Sequence, residues 1–222
     1  PTATYVQVNK SEDLKSVEKK LGWPVVLKAR RLGYDGRSQH VVDSNSSLES
    51  AWDNLKHVPA IAESWVNFQR ELSLIGVRGM NVEVVCYPLS ENFHKDGILR
   101  TTIAPYEDTE LQDTAQNWLF SIMEKFDYRG VLTVEFFHTE QGLVANEMAP
   151  RVHNSGHWTI EGAETSQFEN HLRAVIGLPL GDTKPRGHAA MLNFIGTMPN
   201  ITDALKIPGA HLHDYCKKPR LN

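Results

Sequence analysis

The chain has 222 residues, 41% hydrophobic and 23% charged, with a formal net charge of −4. That length is ample for a packed core, in one large domain or two small ones, and the acidic balance leaves no basic footprint for nucleic acid. No apolar run approaches ~18 residues and no basic, apolar leader opens the chain, so the reading is no membrane span, no secretion signal and a cytoplasmic protein. Two cysteines, Cys86 and Cys216, are too few for a disulfide framework and lack zinc-ligand spacing, which makes them ordinary reduced thiols. The start at Pro1 and the end at Asn222 read as cuts in a longer polypeptide.

Ser11, followed by Leu14, Val17 and Leu21 and then Gly22, predicts a capped amphipathic helix that stops at a glycine. A strand over 24–30 and its partner over 39–43 flank a glycine-rich connection, 32–38. A second helix carries Leu48, Ala51, Trp52 and Leu55 on one face, and a strand follows at 60–63, closing a compact unit near residue 66. Two strands, 71–77 and 82–87, come next, joined through Gly79. A long helix then spaces Leu111, Ala115, Leu119, Ile122 and Phe126 helically. Strands near 131–138 and 143–148, a polar loop, and a helix holding Phe168, Leu172 and Val175 complete the order. His94 falls in a loop, and His211 and His213 alternate on a strand-like stretch. Connections this short exclude parallel crossovers, so the fold class is α+β with antiparallel sheets.

The chemistry concentrates in three places. A three-residue hairpin loop, Glu140-Gln141-Gly142, would set Thr139 opposite Leu143, Phe137 opposite Ala145, and Glu135 opposite Glu147. Two carboxylates roughly 4.5–5.5 Å apart at Cβ repel unless a cation sits between them. Oxygen ligands select magnesium over zinc; the alternative is a solvated sheet face, and a one-residue slip would undo the pairing. Lys28, inside an apolar strand, needs a partner or a reason, and the loop beside it, Gly33, Tyr34, Asp35, Gly36, Arg37 and Ser38, suits phosphate. A snorkelling lysine on a surface hairpin is the plainer alternative. The run from Met148 to Trp158 gathers Arg151, His153, Asn154, Ser155 and His157 in a loop. Arg151 suits a carboxylate or phosphate; a zinc site of Glu147, His153 and His157 and a plain helix-capping loop are the other readings.

Together Lys28 with Gly33-Tyr34-Asp35-Gly36-Arg37, Glu63-Ser64-Trp65-Val66, Glu71, and the run from Asn146 to His157 resemble one family. It is the 5-(carboxyamino)imidazole ribonucleotide synthases, the PurK family of the ATP-grasp superfamily, over residues 10–215. The resemblance implies two α+β subdomains gripping ATP, a lid over 1–66 and a core over 67–222. It gives Lys28 and the loop from Gly33 to Ser38 the nucleotide phosphates. Glu63, Ser64, Trp65 and Val66 would line the adenine edge, Glu71 would hold the ribose, and His94, Asn146 and Glu147 would add nucleotide contacts. Glu135 and Glu147 would coordinate Mg2+, and Arg151, His153, Asn154 and Ser155 would shape a catalytic pocket for bicarbonate and carboxyphosphate. The implied reaction is ATP- and bicarbonate-dependent carboxylation of 5-aminoimidazole ribonucleotide in purine biosynthesis, by a homodimer. Ser38 departs from the family, where glycine is common, and the N-terminal domain and the basic C-terminal segment are expected to lie outside this chain. Another ATP-grasp carboxylate–amine ligase, or a nucleotide-binding module without turnover, remain alternatives.

Overall fold

The computed structural model describes residues 1–31, 38–196 and 198–215. The glycine-rich loop read from Gly33 to Arg37 and the cysteine at 216 therefore lie outside the described residues.

Two antiparallel sheets organise the chain. The first holds β1 (Tyr5–Val8), β2 (Val25–Ala29), β3 (Gln39–Val42) and β4 (Ala60–Ser64) in the order β1-β4-β2-β3. Helices α1 (Ser11–Leu21) and α2 (Asn45–Asn54) cover one face, where Val8, Val17, Val25, Leu27, Leu48 and Trp52 form a closed core. Ser11 is the first helical residue of α1, not its cap: Lys10 is the N-cap, and the Asp13 carboxylate accepts from the Asn9 and Lys10 amides at 2.9 and 3.2 Å. Side chains alternate along a strand, so burying Val25 and Leu27 against the helices turns Lys28 to the opposite face.

The second sheet contains β5 (Arg70–Arg78), β6 (Val84–Cys86), β7 (Ser90–Lys95), β8 (Ile98–Ala104), β9 (Gly130–Thr139), β10 (Gly142–Ala149) and β11 (Ala189–Leu192). Its order is β10-β9-β5-β7-β8-β11, with β6 beside β5. Along β5, Leu72 and Leu74 pack on α3 (Thr109–Lys125) with Leu119, Met123, Val134 and Phe136. Ser73, Ile75 and Val77 alternate to the other face, where Ile75 and Val77 meet Trp158 and Ala174. That face carries the short α4 (Thr159–Gly162) and α5 (Gln167–Ile176), and a last turn, α6 (Ile201–Ala204), follows β11. Gly76 lies under α3: a Cβ there would come 2.5 Å from a Leu119 methyl.

Several elements depart from expectation. β1, β11 and the hairpin β7–β8 are absent from the sequence reading, and His94 belongs to strand β7 instead of a loop. Phe126 caps α3 at 65% exposure. On α5 the buried side chains are Gln167, Asn170 and Ala174, while Leu172 and Val175 are exposed: buried hydrogen bonds from Asn170 to Tyr87 and Gly181 turn the polar stripe inward. His211 and His213 form no strand, and His213 Nε2 lies 2.9 Å from Glu161. Burial pushes the Cys86 thiol up to about 12, which keeps it protonated and inert. Among the described residues no helix is long and apolar enough to cross a membrane.

Candidate active site

A cleft of about 1450 Å³ opens between the two sheets, with Lys28, Ser38, Glu71, His94, Glu135 and Arg151 among its lining residues. Asn146, Glu147, His153, Asn154 and His157 also border it. These eleven residues singled out in the sequence run from 28 to 157, and the fold gathers them around one cleft. Glu63 and Ser64 end β4, between β1 and β2, and Trp65 and Val66 follow directly. The Ser64 amide donates to the Thr4 carbonyl at 2.8 Å, the Trp65 amide to the Pro24 carbonyl at 3.2 Å, and the Trp65 indole to Asn67 at 3.1 Å.

The carboxylate pair forms, but through a register that differs from expectation. Thr139 pairs with Gly142, Leu143 with His138, Val144 with Phe137 and Ala145 with Phe136. The turn is thus one residue shorter than read, with Gly142 at φ +107 opening the return strand. Continued without interruption, that register would set Glu147 opposite Val134, on the face packed by α3. A β-bulge between Ala145 and Glu147 absorbs Asn146 and brings Glu147 opposite Glu135. The pairing survives because two one-residue departures cancel.

Glu135 is 14% exposed at its side chain. Burial, followed by the negative charge of Glu147, pushes its carboxyl up to about 7, the behaviour of like charges that need either a proton or a cation. Glu135, Glu147 and His153 each offer a ligand atom within 4.8 Å of one another. The two facing carboxylates supply the hard oxygen donors that suit magnesium. Among the described residues His157 is not in this group, so the zinc arrangement of Glu147, His153 and His157 does not assemble; its ring tilts against Phe168 and Tyr215, at centroid distances of 5.3 and 6.0 Å.

Lys28 reaches across from the first sheet. Its Nζ lies 2.7 Å from Glu63 Oε2 and donates to Asn146 Oδ1 at 3.1 Å, so the lysine is held by partners instead of snorkelling. Glu71 and His94, from adjoining strands β5 and β7, join through His94 Nδ1 at 2.9 Å. Burial works against a charge on His94, yet the hydrogen bond and charge of Glu71, with Glu135 and Glu147 behind, outweigh it and raise its pKa.

His153 is mounted from beneath. Gln167, wholly buried, grips its main chain at both ends: the His153 amide donates to Oε1 at 3.0 Å, and Nε2 donates to the His153 carbonyl at 2.6 Å. Burial first, then the charge of Arg151, lowers the imidazole to about 4, so it is neutral. Ser155 is fully buried and meets His153 Nδ1 at 2.8 Å, so it faces the imidazole and not the cleft. Arg151 is exposed at the rim, donating to the Val152 carbonyl at 2.9 Å. Ser73, Ser90 and Gln167 escaped the sequence reading. A serine between Leu72 and Leu74 in a buried strand was the available signal, and Asp96-Gly97, both at positive φ, marked the β7–β8 turn.

The cleft thus sets a carboxylate pair against a lysine of the other sheet, with an arginine at the rim, a combination that offers a cation and a polyanion adjoining sites. In agreement, a family model described as ATP-grasp domain matches residues 1–168, and the chain belongs to the ATP-grasp family. Within that family its similarity is to N5-carboxyaminoimidazole ribonucleotide synthases. The synthase of Pseudomonas aeruginosa is 48% identical over 217 residues, covering 98% of this chain and 60% of the relative. The crystal structure of the Thermus thermophilus synthetase superposes with a TM-score of 0.92 at 50% identity, over 99% of this chain and 60% of that one. The Aspergillus clavatus synthase in complex with ADP and 5-aminoimidazole ribonucleotide superposes at 0.87 with 35% identity, over 99% and 61%. The chain thus spans about 60% of the length of these relatives. A second model, the phosphoribosylaminoimidazole carboxylase C-terminal domain, matches residues 189–222, so part of the C-terminal segment expected to be missing is present, and its residues wall the cleft from Ala189 onward.

Proposed function

We propose that this chain is the nucleotide-gripping, catalytic portion of an enzyme that carboxylates 5-aminoimidazole ribonucleotide at the expense of ATP and bicarbonate. The observation that carries the reading is the Glu135–Glu147 pair facing Lys28 across the cleft. Residues 1–66 serve as the lid and 67–222 as the core. Lys28, with the loop from Gly33 to Ser38, binds the phosphates, and arrival of the nucleotide draws Lys28 from Glu63 and Asn146. Glu63 to Val66 line the adenine edge, while Glu71, oriented by His94, accepts from the ribose hydroxyls.

Glu135 and Glu147 would hold a magnesium ion, which when bound supplies charge neutralisation to the phosphate oxygens. A bicarbonate oxygen attacks the γ-phosphorus, ADP departs, and carboxyphosphate forms; the ribonucleotide's amine then attacks the carboxyl carbon, releasing phosphate and leaving a carbamate. Arg151 at the rim and His153 and Asn154 deeper in hold the bicarbonate and the mixed anhydride by charge and N–H donation, and the closed cleft limits its hydrolysis. Positioning and electrostatics carry this kind of transfer, with no covalent nucleophile. The same reading makes the whole protein a cytoplasmic homodimer, which sedimentation velocity tests.

Calorimetric titration with a non-hydrolysable ATP analogue tests the site. Binding should require Mg2+ and weaken at least tenfold in Glu147→Gln and in Lys28→Ala. Magnesium-independent binding, unchanged in both variants, would sink the assignment. Acceptor screening with the whole protein then separates 5-aminoimidazole ribonucleotide from the amine substrate of another ATP-grasp ligase.

A further inference from the structure

Beneath His153 runs a row of buried hydroxyls that the proposed chemistry does not use. Ser90 Oγ lies 3.0 Å from Ser73 Oγ, Ser73 Oγ donates to Ser155 Oγ at 2.8 Å, and Ser155 Oγ lies 2.8 Å from His153 Nδ1. These serines are at most 1% exposed. They come from β7, β5 and the turn after β10, so three separate segments converge on one imidazole nitrogen.

The direction of the protons along this row is fixed by a group that has no choice. The Ser155 amide also points at His153 Nδ1, at 3.3 Å, and an amide N–H only donates. Nδ1 therefore carries a lone pair. The Ser155 hydroxyl proton turns to that lone pair, its oxygen accepts from Ser73, and the Ser73 proton is thereby committed. Ser90 is left to donate to Ser73, whose carbonyl lies 3.5 Å from Ser90 Oγ as a second acceptor. Each hydroxyl has one proton, and only one order satisfies all of them.

We infer that Ser90, Ser73 and Ser155 are positioning residues that lock His153 in the tautomer bearing its proton on Nε2. Two consequences follow. A protonated Nε2 has no lone pair for a metal, so the three-residue cluster of Glu135, Glu147 and His153 reduces to its two carboxylates. Nε2 sits 3.6 Å from Glu135 Oε1, too far for a hydrogen bond, so its N–H is held for an incoming oxygen. On the reading proposed above, that oxygen belongs to bicarbonate or to the mixed anhydride, and His153 meets it as a neutral donor.

Long-range 1H–15N NMR of the histidine-labelled chain, with His153 assigned by its loss in His153→Gln, reads the tautomer directly. The expected result is Nε2–H alone in the native chain, and a Nδ1–H population of at least about a tenth in Ser155→Ala. Ser73→Ala, a milder truncation, should move the ratio the same way and serves if Ser155→Ala does not fold. Nδ1–H in the native chain, or a ratio unmoved by both variants, overturns the inference. His153→Gln should leave Mg2+ affinity within about twofold; a tenfold loss would make His153 a ligand and overturn it as well. In the whole protein, Ser155→Ala should raise the KM for bicarbonate several-fold with the KM for ATP unchanged, and an unchanged bicarbonate KM overturns the substrate half. The tautomer depends on the fold alone, so a different substrate would defeat the functional reading while leaving the NMR result standing.

Discussion

Replacing Glu135 by glutamine should make the unliganded protein more stable at pH 8 while abolishing the metal-dependent nucleotide binding proposed for it. The carboxyl is moved from an ordinary 4.5 to about 7 by burial and by Glu147. At about 1.4 kcal/mol per pKa unit, that displacement amounts to about 3 kcal/mol, and a side chain only 14% exposed leaves little of it to solvent screening. The folded state keeps its proton to a higher pH than the unfolded state does. Between pH 4.5 and about 7 it therefore binds more protons, and stability falls as pH rises through that window and levels off above it. Glutamine has no proton to lose, so the variant escapes this decline.

The informative quantity is the difference between variant and native protein, in which titrating groups remote from Glu135 cancel, while His94 and Glu147, whose charges act on it, contribute to the difference. Urea unfolding in the presence of a chelator, repeated from pH 4 to 8, should show that difference near zero at the acid end and about 2–3 kcal/mol in favour of Glu135→Gln at the basic end. Adding Mg2+ to both should narrow the gap by stabilising the native protein alone. A variant less stable at pH 8, or a difference flat across the range, would refute the claim that the pair is a strained, cation-requiring one.

Two further changes test the mount beneath His153. Gln167→Leu keeps most of the volume but leaves the His153 amide and carbonyl unpaired in the interior, at about 1–3 kcal/mol for each orphaned group; chemical denaturation should record a loss of roughly 2–5 kcal/mol. Gly156→Ala would bring a Cβ to 2.3 Å from Ile75 Cδ1 and 2.5 Å from Gln167 Oε1. Overpacking of that kind costs about 1–3 kcal/mol, read as a Tm lowered by roughly 2–12 °C.

The parts of the fold governed by simple periodicity were legible in the sequence. Leu48, Ala51, Trp52 and Leu55 do bury along α2, and Ala115 and Leu119 along α3. What failed had a physical cause in each case. The apolar stripe expected on α5 points outward because Asn170 satisfies Tyr87 and Gly181 in the interior, and a polar core carries no hydrophobic period to detect. Strand β7, reading Ser90-Glu91-Asn92-Phe93-His94-Lys95, has almost no apolar residue, because Ser90 is buried in the mount beneath His153 and His94 lines the cleft beside Glu71. Ser73 sat among leucines as a visible anomaly, but its meaning depends on Ser155, 82 residues away, which only tertiary structure brings near.

The bulge at Asn146 shows why the site was half legible. Alternation places every second residue of a strand on one face, and by that rule the short turn at Glu140-Gln141 would have buried Glu147 against α3. One inserted residue reverses the parity for the rest of β10, carrying Glu147 to the cleft. The inserted residue is itself used: Asn146 Oδ1 accepts from Lys28 Nζ, fastening the first sheet's lysine to the second sheet. A single irregularity therefore sets the spacing of the two carboxylates and the position of the cation opposite them. Lengthening the turn to three residues without the bulge would keep the pairing of Glu135 with Glu147 but lose the link to Lys28. The register and the lysine contact are one structural fact, which is why reading the hairpin from turn length alone reached the right pair by the wrong path.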